Sequence, residues 1–320
     1  MRSTVLFASV LLPLLLASCG ERKPATSAPR PALAAAPHAS ASAAGPVAVA
    51  VAARPPAPTP EQLEAGAAAA RERVVLMHAI FGDLFNPASN DAPMKLADPD
   101  QPGERMYAIE PVAHTFLPNG DAVLVANALV EQPDRDGHRV HTEGGLLNIF
   151  IVRKTDGRWT LLKHHANIAR MGSWERIGKA EFVNLAAGKP GLAMRFGSGF
   201  QQMSESAIGL FDLGADPIRP LTGEGIAVAA SSPGCVPEEL ETCYEIAANW
   251  RFAASASGAA YDDLVFTFTG QDDGKKDGRR KGKQGPVLAA DMTSHKGSAR
   301  YAYDGKRYVL VEGKNPAQEY

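Results

Sequence analysis

From residue 122 to residue 311, apolar and polar residues alternate in short runs separated by turn signals, and this repeated pattern constrains the fold more than any other feature. Runs at 146–153 and 159–165 flank Thr155-Asp156-Gly157, where Asp-Gly suits the positive φ of a hairpin turn. Runs at 180–185 and 192–196 flank Ala187-Gly188-Lys189-Pro190, and runs at 207–213 and 218–221 flank Gly214-Ala215-Asp216-Pro217. Residues 244–254 and 264–269 enclose a Ser/Gly/Ala loop, and 299–303 and 308–311 enclose Asp304-Gly305-Lys306. With one more strand at 122–129, five hairpins recur at roughly 30-residue spacing. The expected fold is mainly β: one all-β domain of repeated antiparallel hairpins, arranged as a distorted propeller or a sandwich.

A single helix precedes the strands. Thr59-Pro60-Glu61-Gln62 combines a threonine cap, a proline at the first helical position and a glutamine placed to close a capping box. Leu76, Ile80 and Leu84 lie four apart, so one stripe is apolar, and Asn86-Pro87 is the expected stop. The folded domain is therefore 59–320, with an amphipathic helix at 59–86 and an alanine-rich, exposed first half to that helix. Its roughly 260 residues suffice for one large β domain.

The first 58 residues have a different character. A basic start at Met1-Arg2-Ser3 leads into an apolar run from Val5 to Leu16, about a dozen residues where a membrane-spanning helix needs about 20. The run ends in Leu16-Ala17-Ser18-Cys19-Gly20, which resembles the lipobox of bacterial lipoproteins. That resemblance implies a signal peptide at 1–18, removed on export, and acylation (palmitate among the chains) of Cys19. Gly20, and not an acidic residue, directly follows Cys19, which by the same resemblance implies sorting to the outer membrane, on its periplasmic face. Residues 19–58 are dominated by Ala, Pro and Ser and cannot bury a core, so they form a tether with a reach of up to roughly 100 Å.

Three cysteines are present, and with Cys19 assigned to lipid, Cys235 and Cys243 remain with seven residues between them. In an oxidising periplasm the simplest expectation is a disulfide, which across so short a loop contributes about 2–3 kcal/mol. The formal net charge of −2 gives no global field toward nucleic acid. Among local features the basic stretch stands out: Lys275, Lys276, Arg279, Arg280, Lys281 and Lys283 fall within nine residues, with Asp277, Gly278 and Gly282 between them. It reads either as a solvated loop or as a capture loop for an anionic envelope component or an acidic partner.

Catalytic and metal-binding patterns are weak. His164-His165 are adjacent and so point to opposite faces of a strand, and His138 and His141 are separated by three and do the same; no metal centre is expected. Gly197-Ser198-Gly199 lacks the spacing of a nucleophile elbow and reads as a tight strand-end turn. Asp262-Asp263 and Asp272-Asp273 are carboxylate pairs with nothing to fix them across a cleft. No catalytic residue and no cofactor is expected.

Tyr301-Ala302-Tyr303-Asp304-Gly305-Lys306-Arg307-Tyr308, with Tyr261-Asp262-Asp263-Leu264 and the cysteine pair ahead of it, resembles the closing hairpin of some periplasmic all-β lipoproteins. A few of those are similar to lysozyme inhibitors that act as immunity proteins. The expected function is thus a non-catalytic, periplasm-facing binding lipoprotein held to the membrane by lipid, with an envelope protein or anionic polymer as partner. An inhibitor or immunity role against a wall hydrolase falls within that class. An envelope structural or assembly lipoprotein, or a hydrolase without a visible motif, are the alternatives.

Overall fold

The computed structural model describes residues 59–99, 102–130, 141–200, 203–232, 243–273, 275–276, 279–280 and 293–319. Helix α1, Pro60–Phe81, opens with the expected capping box: Thr59 N–H donates to Gln62 Oε1 at 2.9 Å, and Gln62 N–H donates to Thr59 Oγ1 at 3.3 Å. The helix stops sooner than expected, at Gly82, whose φ of 55° suits a residue without a Cβ, and Gly82–Leu84 forms a 3-10 turn. Leu84 consequently leaves the apolar stripe and is 61% exposed, while Met77 and Phe81 join Leu76 in the core. The alanine-rich first half is exposed, as anticipated.

Five strands follow as a meander: β1 Ala92–Ala97, β2 Glu104–Phe116, β3 Ala122–Val130, β4 Gly145–Thr155 and β5 Arg158–Met171. The β4–β5 turn is Asp156-Gly157, with φ of 51° and 79°, as its sequence requires. Strand β3 is buried on both faces, which explains its nearly unbroken apolar sequence. One face, with Leu124, Ala126, Phe150 and Val152, packs on Leu76, Met77 and Phe81 of the helix. The helix crosses these strands instead of following them. Glu72 meets His114 on β2 at 2.6 Å and Phe81 meets Phe150 on β4, while His114, Leu124 and Phe150 stand opposite one another across the sheet. The sheet curls around the helix until its two edge strands meet, where Asn167 Nδ2 on β5 donates to Ala97 O on β1 at 2.7 Å.

The second sheet has eight strands: β6 Lys179–Ala186, β7 Lys189–Phe200, β8 Met203–Asp212, β9 Ile226–Ser231, β10 Tyr244–Ala253, β11 Asp263–Asp272, β14 Thr293–Tyr303 and β15 Tyr308–Gly313. They pair in chain order, interrupted only by the two-residue strands β12 Lys275–Lys276 and β13 Arg279–Arg280, which pair with each other. This sheet also curls, and its concave face gathers Ile208, Leu210, Val228, Ile246, Leu264, Phe266, Phe268 and Tyr301 into one core. The C-terminal 3-10 turn Pro316–Glu319 closes that core with Ala317. Asn315 Nδ2 anchors the turn by donating to Ala227 O at 2.9 Å and to Tyr301 Oη at 3.0 Å. On its convex side, Leu192, Met194 and Phe211 pack against Val123, Val125, Leu147 and Ile149 of the first sheet, a face-to-face stack of sandwich type. The mainly β, hairpin-built architecture with one leading helix is thus as expected.

Some boundaries differ from expectation. Residues 218–221 form no strand; Pro220 makes only an isolated bridge to Phe211, and the true partner of β8 is β9, further along. The β6–β7 turn is Ala187-Gly188 alone, with Lys189 and Pro190 already in β7. Strands β1 and β2 were not anticipated. The helix, both sheets and all three core clusters lie within Ala57–Tyr320, which forms its own compact unit and so holds a complete core without the residues before it.

Candidate functional site

Strand β9 is short, and it pairs with β10 only through Ala229–Ser231 opposite Glu245–Ala247. Beyond Ala247, β10 continues to Ala253 paired with β11 alone, so the edge that faced β9 becomes free. On the concave side at that level β10 presents Ala248, Trp250 and Phe252, all half-buried. Opposite stand Glu181 and Val183 from β6 and Arg195 from β7. The register puts Glu181 beside Ala193, which is in the concave core, and alternation places Val183 and Arg195 on the same side. Asn184, Asn249 and Arg251 complete the rim of a cleft of about 450 Å³.

The local sequences explain the arrangement. In Ala248-Asn249-Trp250-Arg251-Phe252 the rings alternate with polar residues, so Trp250 and Phe252 turn inward and meet edge-on with centroids 5.7 Å apart. Among the described residues, the side chains of Glu181, Asn184, Arg195, Asn249 and Arg251 have no hydrogen bond or ion pair. Glu181 and Arg195 therefore face an aromatic floor with open hydrogen-bonding capacity, and Asn184, Asn249 and Arg251, at the alternate positions, border it. An indole face stacks on the C–H face of a sugar or on a planar group, and guanidiniums hold carboxylates with paired hydrogen bonds. Among the described residues, Glu181 is the only carboxylate lining the cleft, whereas glycoside hydrolysis generally uses two.

The residues singled out from sequence lie elsewhere. Lys275 pairs with Arg280 and Lys276 with Arg279, so part of the basic stretch is a minimal antiparallel pairing instead of an open loop. It leaves the sheet after Asp272, which stands opposite Tyr244, six residues before Trp250. At about 3.4 Å per residue that is roughly 20 Å from the cleft. Cys243 lies at this same end, where its N–H donates to Asp273 Oδ2 at 3.1 Å and its carbonyl accepts from Asp273 N–H at 2.9 Å. Cys19, Cys235, Lys281 and Lys283 lie outside the described residues, as do His138 and Asp277.

His164 and His165 do point to opposite faces. His164 stacks on Phe150 with centroids 4.1 Å apart and shares a hydrogen bond with Asn148 Oδ1 at 3.0 Å. Asn148 is fully buried, its amide nitrogen donates to Leu146 O, and its oxygen also accepts Asn167 N–H; His164 Nε2 must therefore carry the proton. Burial, then the neighbouring His165, lowers the His164 pKa to about 4. His165 Nδ1 accepts Ile218 N–H, and burial followed by Lys163 lowers its pKa, against a smaller opposing effect of Asp216. His141 Nε2 is hydrogen-bonded to Gly199 O. No three of the described His, Cys, Asp and Glu residues converge as a metal site.

Gly197-Ser198-Gly199 is not a turn but lies within β7, where a Cβ at Gly197 would stand 2.1 Å from Glu205 O; the glycine permits β8 to come close. Ser198 lines a second hollow of about 330 Å³ with Arg170 and Glu205, and no histidine bonds to it among the described residues. Asp263 is buried and accepts from Arg300 Nη1 at 2.9 Å, and Asp272 meets His295 at 2.6 Å, so these carboxylates tie strands together. Tyr301 and Tyr308 are buried in the concave core and Tyr303 packs beside them, while Asp304 Oδ1 accepts the N–H groups of Lys306 and Arg307 to shape the turn. No family model, no curated protein and no solved structure matches the chain.

Proposed function

We propose that this protein is a membrane-tethered, periplasm-facing lipoprotein of the outer membrane that binds an envelope component without transforming it, and that the cleft between β6, β7 and β10 is where it does so. Glu181 and Arg195, which share the concave side with the Trp250–Phe252 floor and whose side chains have no hydrogen-bond or ion-pair partner among the described residues, carry the proposal. Arg195 on the concave side, with Arg251 at the rim, offers guanidinium donors to an anionic group of a ligand. The aromatic floor and the amides of Asn184 and Asn249 suit a polyhydroxylated one. A carboxylate-bearing glycan strand has both properties. The single lining carboxylate favours binding over glycoside cleavage. The basic pairing of Lys275, Lys276, Arg279 and Arg280 lies about 20 Å away and would serve association from a distance.

The test uses soluble glycan strands of peptidoglycan, whose muramic acid supplies the carboxylate, titrated while Trp fluorescence and heat are recorded. Binding should quench Trp250, and Trp250→Ala should weaken it at least tenfold, about 1.4 kcal/mol, with the fold intact. Absence of binding, or equal affinity of the variant, overturns the assignment. If the protein instead inhibits a wall hydrolase and Trp250→Ala inhibits equally well, the grip lies outside the cleft. For the anchor, a clickable fatty acid fed to cells should label the wild type and not Cys19→Ala; equal labelling refutes lipid attachment there.

A further inference from the structure

The helix that fills the first sheet crosses only part of it. It passes over the row formed by His114, Leu124 and Phe150, and the next row toward the β4–β5 turn is Phe116, Ala122, Val152 and Leu161. Within that row Ala122 and Val152 are fully buried, but Phe116 is 50% and Leu161 42% exposed. Trp159, one row further, meets Phe116 with centroids 6.1 Å apart and packs on the core edge, and Leu162, at the bulge in β5, is 52% exposed. Three large apolar side chains about half exposed, with Trp159 at their edge, thus cluster at one end of the sheet, and a soluble protein seldom presents such a cluster without a partner for it.

The charges around them indicate the partner. Between Gly145 and Met171 the hairpin carries one acidic residue, Asp156, against Arg153, Lys154, Arg158, Lys163 and Arg170. Arg153 is held by Asp121 and Lys163 by Asp216, whereas Lys154 and Arg158 have no acidic partner among the described residues. Lys154 Nζ sits 5.5 Å from the centre of the Trp159 ring, beside the apolar cluster. An indole with a wet edge, leucines that can enter the acyl boundary, and flexible cations that reach phosphate groups are the chemistry of a lipid headgroup interface.

We propose that the tip of the β4–β5 hairpin, with Phe116, rests on an anionic lipid surface and fixes the orientation of the domain there. The contact is separate from the lipid at Cys19 and from the β10 cleft. The test therefore uses residues 57–320, without any acyl chain, mixed with vesicles of phosphatidylglycerol or of phosphatidylcholine. The phosphatidylglycerol vesicles should bind the domain and shift its Trp emission to the blue, and phosphatidylcholine should bind it far less. Leu161→Ser with Leu162→Ser should weaken binding about tenfold at an unchanged thermal midpoint, since both side chains are already exposed. Lys154→Glu with Arg158→Glu should do the same while keeping every apolar side chain of the cluster. Failure of the wild type to bind phosphatidylglycerol, or equal binding by both double variants, overturns the proposal. A wild-type dimer in solution that Leu161→Ser with Leu162→Ser abolishes would overturn it too, because it assigns the surface to a second copy of this chain.

Discussion

Both sheets curl, but they are filled differently. The first closes around α1, whose Leu76, Met77 and Phe81 occupy its concave face, and Asn167 joins its edge strands at Ala97. Among the described residues the second holds no α-helix. Its own aromatic and aliphatic side chains meet across the concavity, and the filler described there is the short turn Pro316–Glu319, with Ala317 as its buried residue. A helix covers several strands at once; a single turn does not. Beyond Ala247, β10 lacks β9 as its neighbour and the concave face opens into the cleft of Glu181, Arg195 and Trp250. The difference shows how one folding device, the curled sheet, closes on a helix in one half of the domain and leaves an open concave cleft in the other.

The comparison is broken most severely by removing the helix filler. Phe81→Ala should cost about 3–5 kcal/mol, because the side chain is buried against Phe150 and a rigid sheet cannot collapse into the void. Chemical denaturation should show this as a large fall in midpoint. The corresponding loss in the second half is smaller: Asn315→Ala should cost about 2 kcal/mol, leaving Ala227 O without its partner. Hydrogen exchange should then rise in β9 and β14 and stay unchanged in β3 and β4. Equal loosening of both halves would deny that each is filled separately.

A subtler probe lies in the first half. His164 is neutral when folded down to about pH 4, yet an unfolded histidine takes its proton near pH 6.5. The unfolded state therefore binds more protons between those values, and stability should fall as pH drops through that window and level off below it. The loss should be roughly 2 kcal/mol after allowing for the ring's partial exposure. His165 is shifted in the same direction and adds to the slope. His164→Gln, which can still donate to Asn148, should flatten much of the dependence when unfolding midpoints are compared at pH 7 and in mild acid; an unchanged slope would assign it to other groups.

Much of the scaffold was legible because its signals are local. Asp156-Gly157 and Asp304-Gly305 name their turns, and Thr59 with Gln62 names the helix start. Strands β1 and β2 escaped because each contains a proline, Pro93 and Pro111, and Pro111 sits where the pairing slips by a residue. Strand β9 was missed because Ile218 and Leu221 supply an apolar run earlier in the chain, although those side chains are buried from a loop. The cleft had little local signal. Glu181, Arg195 and Trp250 come from three strands and become neighbours only through the curl of the sheet, and the length of β9 that exposes them is a matter of pairing partners. The alternation of rings and polar residues from Ala248 to Phe252 was the one visible hint. Cys19 stands apart: its signal is chemical rather than conformational, and it lies outside the described residues.

The two fillers also differ in when they exist. A chain made from its N-terminus has α1 in hand before the first strand it will cover, so the first half can close as each strand arrives. The second half waits for Asn315 and Ala317, which are joined only after the strands that they pack on. A product that stops before Asn315 would keep the first core sealed. It would leave Phe266, Phe268 and Tyr301 beneath an open lid, a mark of incompleteness that proteases and chaperones recognise by its grease.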